Sequence, residues 1–385
     1  MVWLMATATG LIVANLYYAQ PLVGPISQAT GLAPGVAGFV VTLTQLGYCL
    51  GMIFIVPLGD LLENRRLIVT ALIGVACALA VAAFSTSAAL FLAAAFCIGV
   101  GSVVAQIIVP FASHLSKPET RGQTVGKVVS GLLLGIMLAR PVSSLLTDAF
   151  GWHAVFMLSA LVMAGLAFVL KRRLPLREPA HTSTHTGNYA ALLASLWFLL
   201  KTTPILRRRS AYQFCMFGAF SLFWTTVPLI LASPAFGMSQ TGIAIFALVG
   251  VAGALASPIA GRRADQGKSR STTAIALVAG VLSFAAPLLL QGGRMVDLAV
   301  LVLASIVLDA AVSASLVTGQ RALYALSADV RSRLNGLYMA IFFMGGALGS
   351  SLGGWMYAHH GWQGVLMTGL MFPAAGLLVF STERR

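Results

Sequence analysis

Twelve stretches of about 20 predominantly apolar residues, parted by short charged segments, leave this chain few folds to choose from. They lie at approximately 2–25, 35–58, 67–86, 88–112, 123–147, 152–170, 210–232, 239–260, 272–290, 296–320, 335–357 and 362–380. A helix of that length crosses a bilayer and satisfies its own backbone hydrogen bonds, which lipid cannot do for it. Only 9% of the 385 residues are charged and the mean hydropathy is +0.91, whereas an ordinary soluble domain carries about a quarter charged residues. The first stretch has neither a basic leading region nor a small-residue cleavage site, so it reads as a retained span and not a signal peptide. The expected fold class is an all-α integral membrane protein of twelve transmembrane helices. The net charge of +14 would suit a nucleic-acid partner, but the basic residues fall in short runs between apolar stretches and make no basic face. No nucleic acid is expected.

Basic residues mark the cytoplasmic side of a membrane protein. Here they follow spans 2, 4, 6, 8 and 10 and end the chain: Arg65 and Arg66; Lys117, Arg121 and Lys127; the cluster from Lys171 to Arg209; Arg262, Arg263, Lys268 and Arg270; Arg321, Arg331 and Arg333; Arg384 and Arg385. The other side carries only Arg294. Both termini are therefore expected in the cytoplasm, with the protein in a bacterial inner (plasma) membrane.

The polar segment "KRRLPLREPAHTSTHTGNY" at 171–189 divides the spans six and six. The apolar stretch behind it ends in Arg207, Arg208 and Arg209, which suits a helix lying in the membrane interface. The expected organisation is a six-helix bundle over 1–170, a linker with an interfacial helix over 171–208, and a second bundle over 209–385. His181 and His185 are four apart, but two imidazoles in a solvated linker make no metal site by themselves.

The halves repeat. A shift of 210 residues places Arg121 on Arg331, Gly126 on Gly336, Gly135 on Gly345, and Gly151-Trp152 on Gly361-Trp362, while Asp60 in "PLGDLLENRR" faces Asp265 in "AGRRADQGKSR". Matches at loop, span and loop in one order argue for a duplicated six-helix unit in parallel orientation.

Parallel six-span halves, acidic and basic loops after spans 2 and 8, and a Gly-rich span 5 resemble the major facilitator superfamily. "ANLYYAQPL" at 14–22, "LLLGIMLAR" at 132–140 and "RSRLNGLYMAIFFMGGALGSSLGGW" at 331–355 are similar to its bacterial twelve-span drug or sugar exporters of the arabinose-efflux type. The resemblance spans the chain. It implies two six-helix bundles around a central cavity that opens alternately to each side. It also implies that spans 1, 4, 7 and 10 line that cavity, which brings in Asn15, Tyr17, Tyr18, Gln20, Gln106, His114, Gln213, Trp224 and Gln320 as candidate substrate contacts. Tyr17 and Tyr18 could equally be interfacial anchors, and His114 lies near the cytoplasmic end.

The family's loop motif, Gly-x-Leu-Ala-Asp-Arg-x-Gly-Arg-Arg, is kept in part. Asp60, Arg65 and Arg66 fit, with Val56 and Glu63 in place of its glycines; in the second half Gly261, Ala264 and Asp265 fit, with Gly267 one position early. An aspartate at a span end beside a basic loop can be held in one conformation and released in the other, so Asp60, Arg65, Arg66, Arg262 and Asp265 are expected to form conformational latches. Setting topology alone is the alternative. Related exporters also carry a span-4 arginine, and that position is Ala95 here.

Two charges lie deep in the apolar runs. Arg140 sits about 20 Å beyond Lys127 at about 1.5 Å per residue, with Pro141 behind it, and its repeat mate is Ser350. Asp309, in "VLASIVLDAAVSASL", is near the centre of span 10 opposite Gly99 in the repeat, whereas Asp60, Asp148, Asp265 and Asp297 lie near span ends. Ionisable groups at such depth face a bundle interior or a water-filled cavity and mark substrate or proton paths. A carboxyl in low dielectric exchanges its proton as access to water changes, so Asp309 and Arg140 are the expected proton-coupling pair; a static ion pair is the alternative.

Gln45 suits a helix-to-helix hydrogen bond, and the glycines at 343–355 suit close helix packing. Cys49, Cys77, Cys97 and Cys215 form no motif, and the sequence contains no nucleotide-binding loop, metalloprotease helix or catalytic triad. No cofactor, metal or enzymatic role is expected. The expected function is export of a small organic solute (drug-like, a sugar or an amino-acid derivative) by proton antiport in a monomer whose partners are solute, protons and bilayer. The alternatives are an uncoupled or uptake carrier for an anion and, more remotely, a membrane sensor.

Overall fold

A computed structural model describes residues 1–116, 121–176, 189–250, 256–290, 292–326 and 330–383, with the side chains of Asp60, Arg121, Gly122, Ser257 and Ser332 set aside. All regular structure among these residues is helical, and nine of the helices are long and apolar enough to cross a membrane. Spans 3, 6, 9 and 10 are the single helices Asn64–Phe84, Trp152–Arg173, Ser269–Leu289 and Arg294–Tyr324, and span 2 is Phe39–Phe54. Span 5, Arg121–Phe150, runs through Pro141 without a break. Spans 11 and 12 lie in one stretch, Arg331–Ser381, that turns at Gly361 (φ 61°). Gly151, its mate between spans 5 and 6, has φ 80°. Equivalent glycines thus make equivalent sharp turns, in a backbone region that L side chains rarely enter.

Two spans are not simple rods. Span 1 is Val2–Ala14, a run of turns over 15–19, the short Gln20–Leu22 helix and then Val23–Thr30. Pro21 and Pro25 have no N–H to give, so the chain tightens into i→i−3 hydrogen bonds such as Tyr17 N to Ala14 O and Gln20 N to Tyr17 O. Irregular backbone at membrane depth persists only inside protein, and Tyr17 and Gln20 are buried accordingly. Span 4 breaks between Ala88–Ser102 and Ala105–His114; span 8 is Gln240–Gly250 and Ala256–Asp265 on either side of residues outside the description.

Of the linker, residues 177–188, including His181 and His185, lie outside the described residues, as do Lys117, Arg384 and Arg385. Tyr189–Thr202 forms the expected short helix. The span-7 helix, however, begins at Pro204, so Arg207, Arg208 and Arg209 form its first turns and do not close the linker at 208. Pro204 explains the shift: proline is favoured at the first helical position, where its missing N–H costs nothing.

The duplication is visible in the packing. Gly135 of span 5 presses on the backbone of Gly10 in span 1, and Gly349 of span 11 presses in the same way on Gly218 in span 7. Small residues at these crossings bring backbones into contact, which in lipid supplies much of the association energy. Between the halves, span 2 packs on span 11 and span 5 on span 8. Those contacts close the face opposite the basic loops: Gly38 lies against Ser350 and Gly354, Thr42 and Ser350 share a hydrogen bond of 2.8 Å, and Thr241 donates to Asp148 at 2.6 Å. Deeper, Gln45 donates to Ser221 of span 7 at 2.9 Å, the helix-to-helix role its position suggested. Toward the basic face a cavity of about 130 Å³ separates the halves, lined among others by Met52, His114, Leu192 and Leu337. The linker helix floors it, with Tyr189 Oη donating to Phe54 O at 2.7 Å and Arg333 donating to Ser195 Oγ at 3.0 Å.

Candidate functional site

Span 7 carries Phe217, Phe220 and Trp224 at spacings of three and four, which place them on one helix face. That face meets the unwound part of span 1 and the middle of span 5. A cavity of about 100 Å³ lies where they converge, lined by Tyr17, Arg140, Phe217, Phe220, Asp309 and Phe342 among others. Arg140 and Asp309 therefore face one space from opposite halves of the protein, both largely withdrawn from the surface at 4% and 8% exposure.

They are not a closed ion pair. No nitrogen of Arg140 comes within 4.0 Å of an Asp309 oxygen, although the two charges interact across the cavity. Trp224 stands between them. Its Nε1–H donates to Asp309 Oδ1 at 2.8 Å, and its ring lies 4.3 Å from the Arg140 guanidinium carbon. Phe220 at 4.9 Å and Tyr17 at 5.4 Å offer two further ring faces. Aromatic faces attract a cation most strongly where water is excluded, so the guanidinium is held without an anion. Its Nε donates to Gln20 Oε1 at 2.7 Å, while Nη2 is buried with no hydrogen-bond partner among the described residues. A guanidinium has five donors in a planar fork; here the fork retains capacity for an acceptor in the cavity.

Gly250 of span 8 makes room for this arrangement. A Cβ there would lie 2.6 Å from Trp224 Cζ2 and 2.8 Å from Asp309 Oδ2, inside any allowed contact. In the first half the corresponding glycine is on span 4 itself: Gly99, the repeat mate of Asp309, presses on the backbone of Thr44 and Tyr48. With the glycine moved to the facing helix, span 10 can bear a carboxylate. Pro141 accompanies Arg140 without breaking span 5; Ser143 Oγ donates to Arg140 O at 3.0 Å and shares the load on that carbonyl.

Tyr17, Gln20 and Trp224 thus join Arg140 and Asp309, and the other candidate contacts go elsewhere. Asn15 turns toward span 6, its Nδ2 donating to Ile12 O at 3.1 Å and its Oδ1 accepting from Ser159 at 2.6 Å. Tyr18 lines an outer furrow between spans 1 and 5. These close neighbours part because residues one or two apart along a helical turn lie on different faces. Gln106 donates to Tyr48 Oη at 3.0 Å, and the Tyr48 ring meets Phe343 of the other half with centroids 4.5 Å apart. Gln320 lies near the basic face, donating at 3.2 Å to Asn335 Oδ1, which also accepts from Tyr324. Gln213 is fully buried with its amide unpartnered among the described residues. Ala95, the place of the missing span-4 arginine, is buried in the first-half core.

At the loops, Asp265 forms an ion pair with Arg321, whose Nη1 also donates to Gly261 O at 3.2 Å. In the sequence Arg321 reads only as a topology-setting charge and not as part of a latch, since the motif ends before span 10; a basic residue closing the neighbouring span is the signal that points to it. Arg262 is exposed. The side chain of Asp60 lies outside the described residues. Arg65 Nη1 donates to Leu174 O at the end of span 6, at 3.2 Å. Glu63, which departs from the family motif, accepts from the N–H groups of Arg65 and Arg66 at 2.9 and 2.8 Å and so caps span 3. Capping satisfies donors that a helix start leaves open.

The sequence profile described as the Major Facilitator Superfamily matches residues 2–318 and again 210–385. The chain is 41% identical over 377 residues to YgaY, an uncharacterised transporter of Escherichia coli O157:H7, covering 98% of this chain and 94% of that one. It is 32% identical to the probable transporter SCO4007 of Streptomyces coelicolor, over 94% of this chain and 82% of the relative. More distantly it matches the purine ribonucleoside efflux pump NepI of Escherichia coli, at 24% identity over 56% of this chain and 53% of the pump. Among solved structures, a bacterial homologue of the lysosomal transporter Spinster, inward-facing and occupied, superposes with a TM-score of 0.76 at 13% identity, covering 99% and 94% of the two chains. The nucleoside transporter NupG superposes equally, at 0.76 and 16% identity over 99% and 98%. These are transporters and not enzymes, and with a profile match and close relatives along its whole length the chain belongs to the major facilitator superfamily, as a multi-pass membrane transporter of a bacterial family.

Proposed function

We propose that this transporter exports a small organic solute in exchange for protons, with Asp309 as the proton-binding group and Arg140 as a fixed positive charge. The observation that carries the proposal is that both groups face one cavity from opposite halves and are linked through Trp224, with no closed ion pair. A closed, fully satisfied pair would be structural; an open one leaves both charges free to meet a ligand. When Asp309 is ionised it accepts from Trp224 and attracts Arg140 across the cavity. A proton on the carboxylate removes that attraction and loosens one contact between the halves. A solute donor and a proton compete for the same carboxylate, and such competition is the condition for exchange. Arg140 takes the solute's acceptor, and the aromatic lining takes its flat apolar body.

A solute with a flat face and adjacent donor and acceptor groups fits this site. Nucleosides have that chemistry, in keeping with the names of NepI and NupG. The basic face lies in the cytoplasm, as the distribution of Lys and Arg favours, the membrane is the bacterial inner membrane, and one chain carries the whole pathway. The loops of Asp60, Arg65 and Arg66 and of Arg262 and Asp265 act as latches between the two access states.

Nη2 of Arg140, unpartnered among the described residues, favours one second reading. An anionic solute on that nitrogen would call for a proton on nearby Asp309, and anion and proton would then travel together. Proteoliposomes with an imposed pH gradient separate the two, with inosine and benzoate as probes. Exchange predicts inosine accumulating on the acidic side; anion cotransport predicts benzoate moving with the proton faster than in protein-free liposomes, which benzoic acid crosses unaided. Transport indifferent to the gradient would defeat the proton-coupled proposal.

A further inference from the structure

On the lipid-facing side of span 5, away from the central cavity, a furrow of about 780 Å³ runs along the contact of spans 1 and 5. It exists because Gly131 and Gly135 meet Ala6 and Gly10 backbone to backbone, leaving no side chains to fill the groove above the contact. Its walls are apolar, with Leu134 and Leu138 at 55% and 46% exposure. At its basic-face end stands Lys127, the one charged residue among the described residues lining it, with Gln123 and Ser130 beside it and its ammonium 5.7 Å from the Trp3 ring. No carboxylate among those residues lines the furrow.

We propose that this furrow binds one anionic phospholipid of the basic-face leaflet, headgroup on Lys127 and an acyl chain along the groove. The dimensions agree. From Lys127 to Leu138 is eleven residues of helix, about 16 Å at 1.5 Å per residue, against about 15 Å for half of a typical hydrocarbon core. Charge complementarity selects the headgroup: among the described residues lining the furrow, a single ammonium at the interface with no acid beside it favours a phosphate of net negative charge over a zwitterion. The bound chain would brace spans 1 and 5, the two elements through which the first half presents Tyr17, Gln20 and Arg140.

The test needs no knowledge of the transported solute. The purified full chain is mixed with equal amounts of phosphatidylglycerol and phosphatidylcholine of the same acyl chains, and bound lipid is counted by native mass spectrometry. The wild type is expected to retain one phosphatidylglycerol several-fold over phosphatidylcholine. Lys127→Gln should lose that preference, whereas Lys201→Gln, which removes a cation placed over Trp197 on the linker helix, should keep it. Gly126→Leu should lose the bound lipid of either kind, since its side chain enters the furrow at a position where a Cβ meets nothing within 4 Å. An unchanged unfolding midpoint in lipid-free detergent certifies the fold of that variant, and Lys127→Gln carries the test if it fails. Equal retention of both lipids by the wild type, or a wild-type preference in Lys127→Gln, overturns the proposal. Displacement of the lipid by inosine or benzoate overturns it too, by making the furrow a solute entrance.

Discussion

Replacing Gly250 by alanine adds one methyl group at the most tightly drawn point of the central site. The new Cβ would lie 2.6 and 3.0 Å from Trp224 Cζ2 and Cη2 and 2.8 Å from Asp309 Oδ2. Carbon contacts settle at about 3.5–4.0 Å, so ring and carboxylate must withdraw by about 1 Å. The hydrogen bond between them, 2.8 Å in the native protein, does not survive such a displacement. Overpacking of this kind costs about 1–3 kcal/mol. A helical Gly→Ala change returns about 1 kcal/mol of helix propensity, so global stability should fall by no more than about 2 kcal/mol. Transport meets the whole local cost, and at 1.36 kcal/mol per decade it should slow about 5- to 160-fold. The assay is solute flux into proteoliposomes under a pH gradient, with an unfolding midpoint on the same preparation. Adding Trp224→Phe removes the crowded ring atoms but also the indole N–H, so the double variant should regain stability without regaining proton-driven flux. Wild-type coupled transport by Gly250→Ala would refute the reasoning, because it would show that the Trp224–Asp309 contact does not matter.

Asp309→Asn should abolish accumulation driven by a pH gradient while permitting solute counterflow, since an amide hydrogen-bonds with Trp224 but exchanges no proton; gradient-driven accumulation in this variant would place coupling elsewhere. Arg140→Lys should retain partial activity and Arg140→Ala little, because lysine keeps the charge but not the planar fork that meets three rings and Gln20; full flux through Arg140→Ala would exclude the fixed-charge role. Asp265→Asn should slow transport while moving the unfolding midpoint little, since its pair with Arg321 is half exposed and such pairs contribute about 0.2–1 kcal/mol; equal rates in the variant and wild type would leave these charges a topological role only.

Span number, the repeat and the deep charges are legible in the sequence because they are local. The bilayer demands a fixed length of apolar chain, a charge inside it stands out, and Gly151 and Gly361 mark equivalent turns wherever the helices go. Which face of a span turns inward is not local. In lipid both faces are apolar, so hydropathy does not point to the core as it does in water. Hence Asn15 and Tyr17, two residues apart, receive the same reading in the sequence, while in the fold one reaches Ser159 and the other Arg140. Asp265 is marked by its motif, yet its partner Arg321 comes from another span. That Arg140 and Asp309 share a cavity, that Trp224 stands between them and that Gly250 leaves them room are facts of helix adjacency, decided by close packing of small residues between spans far apart in the chain.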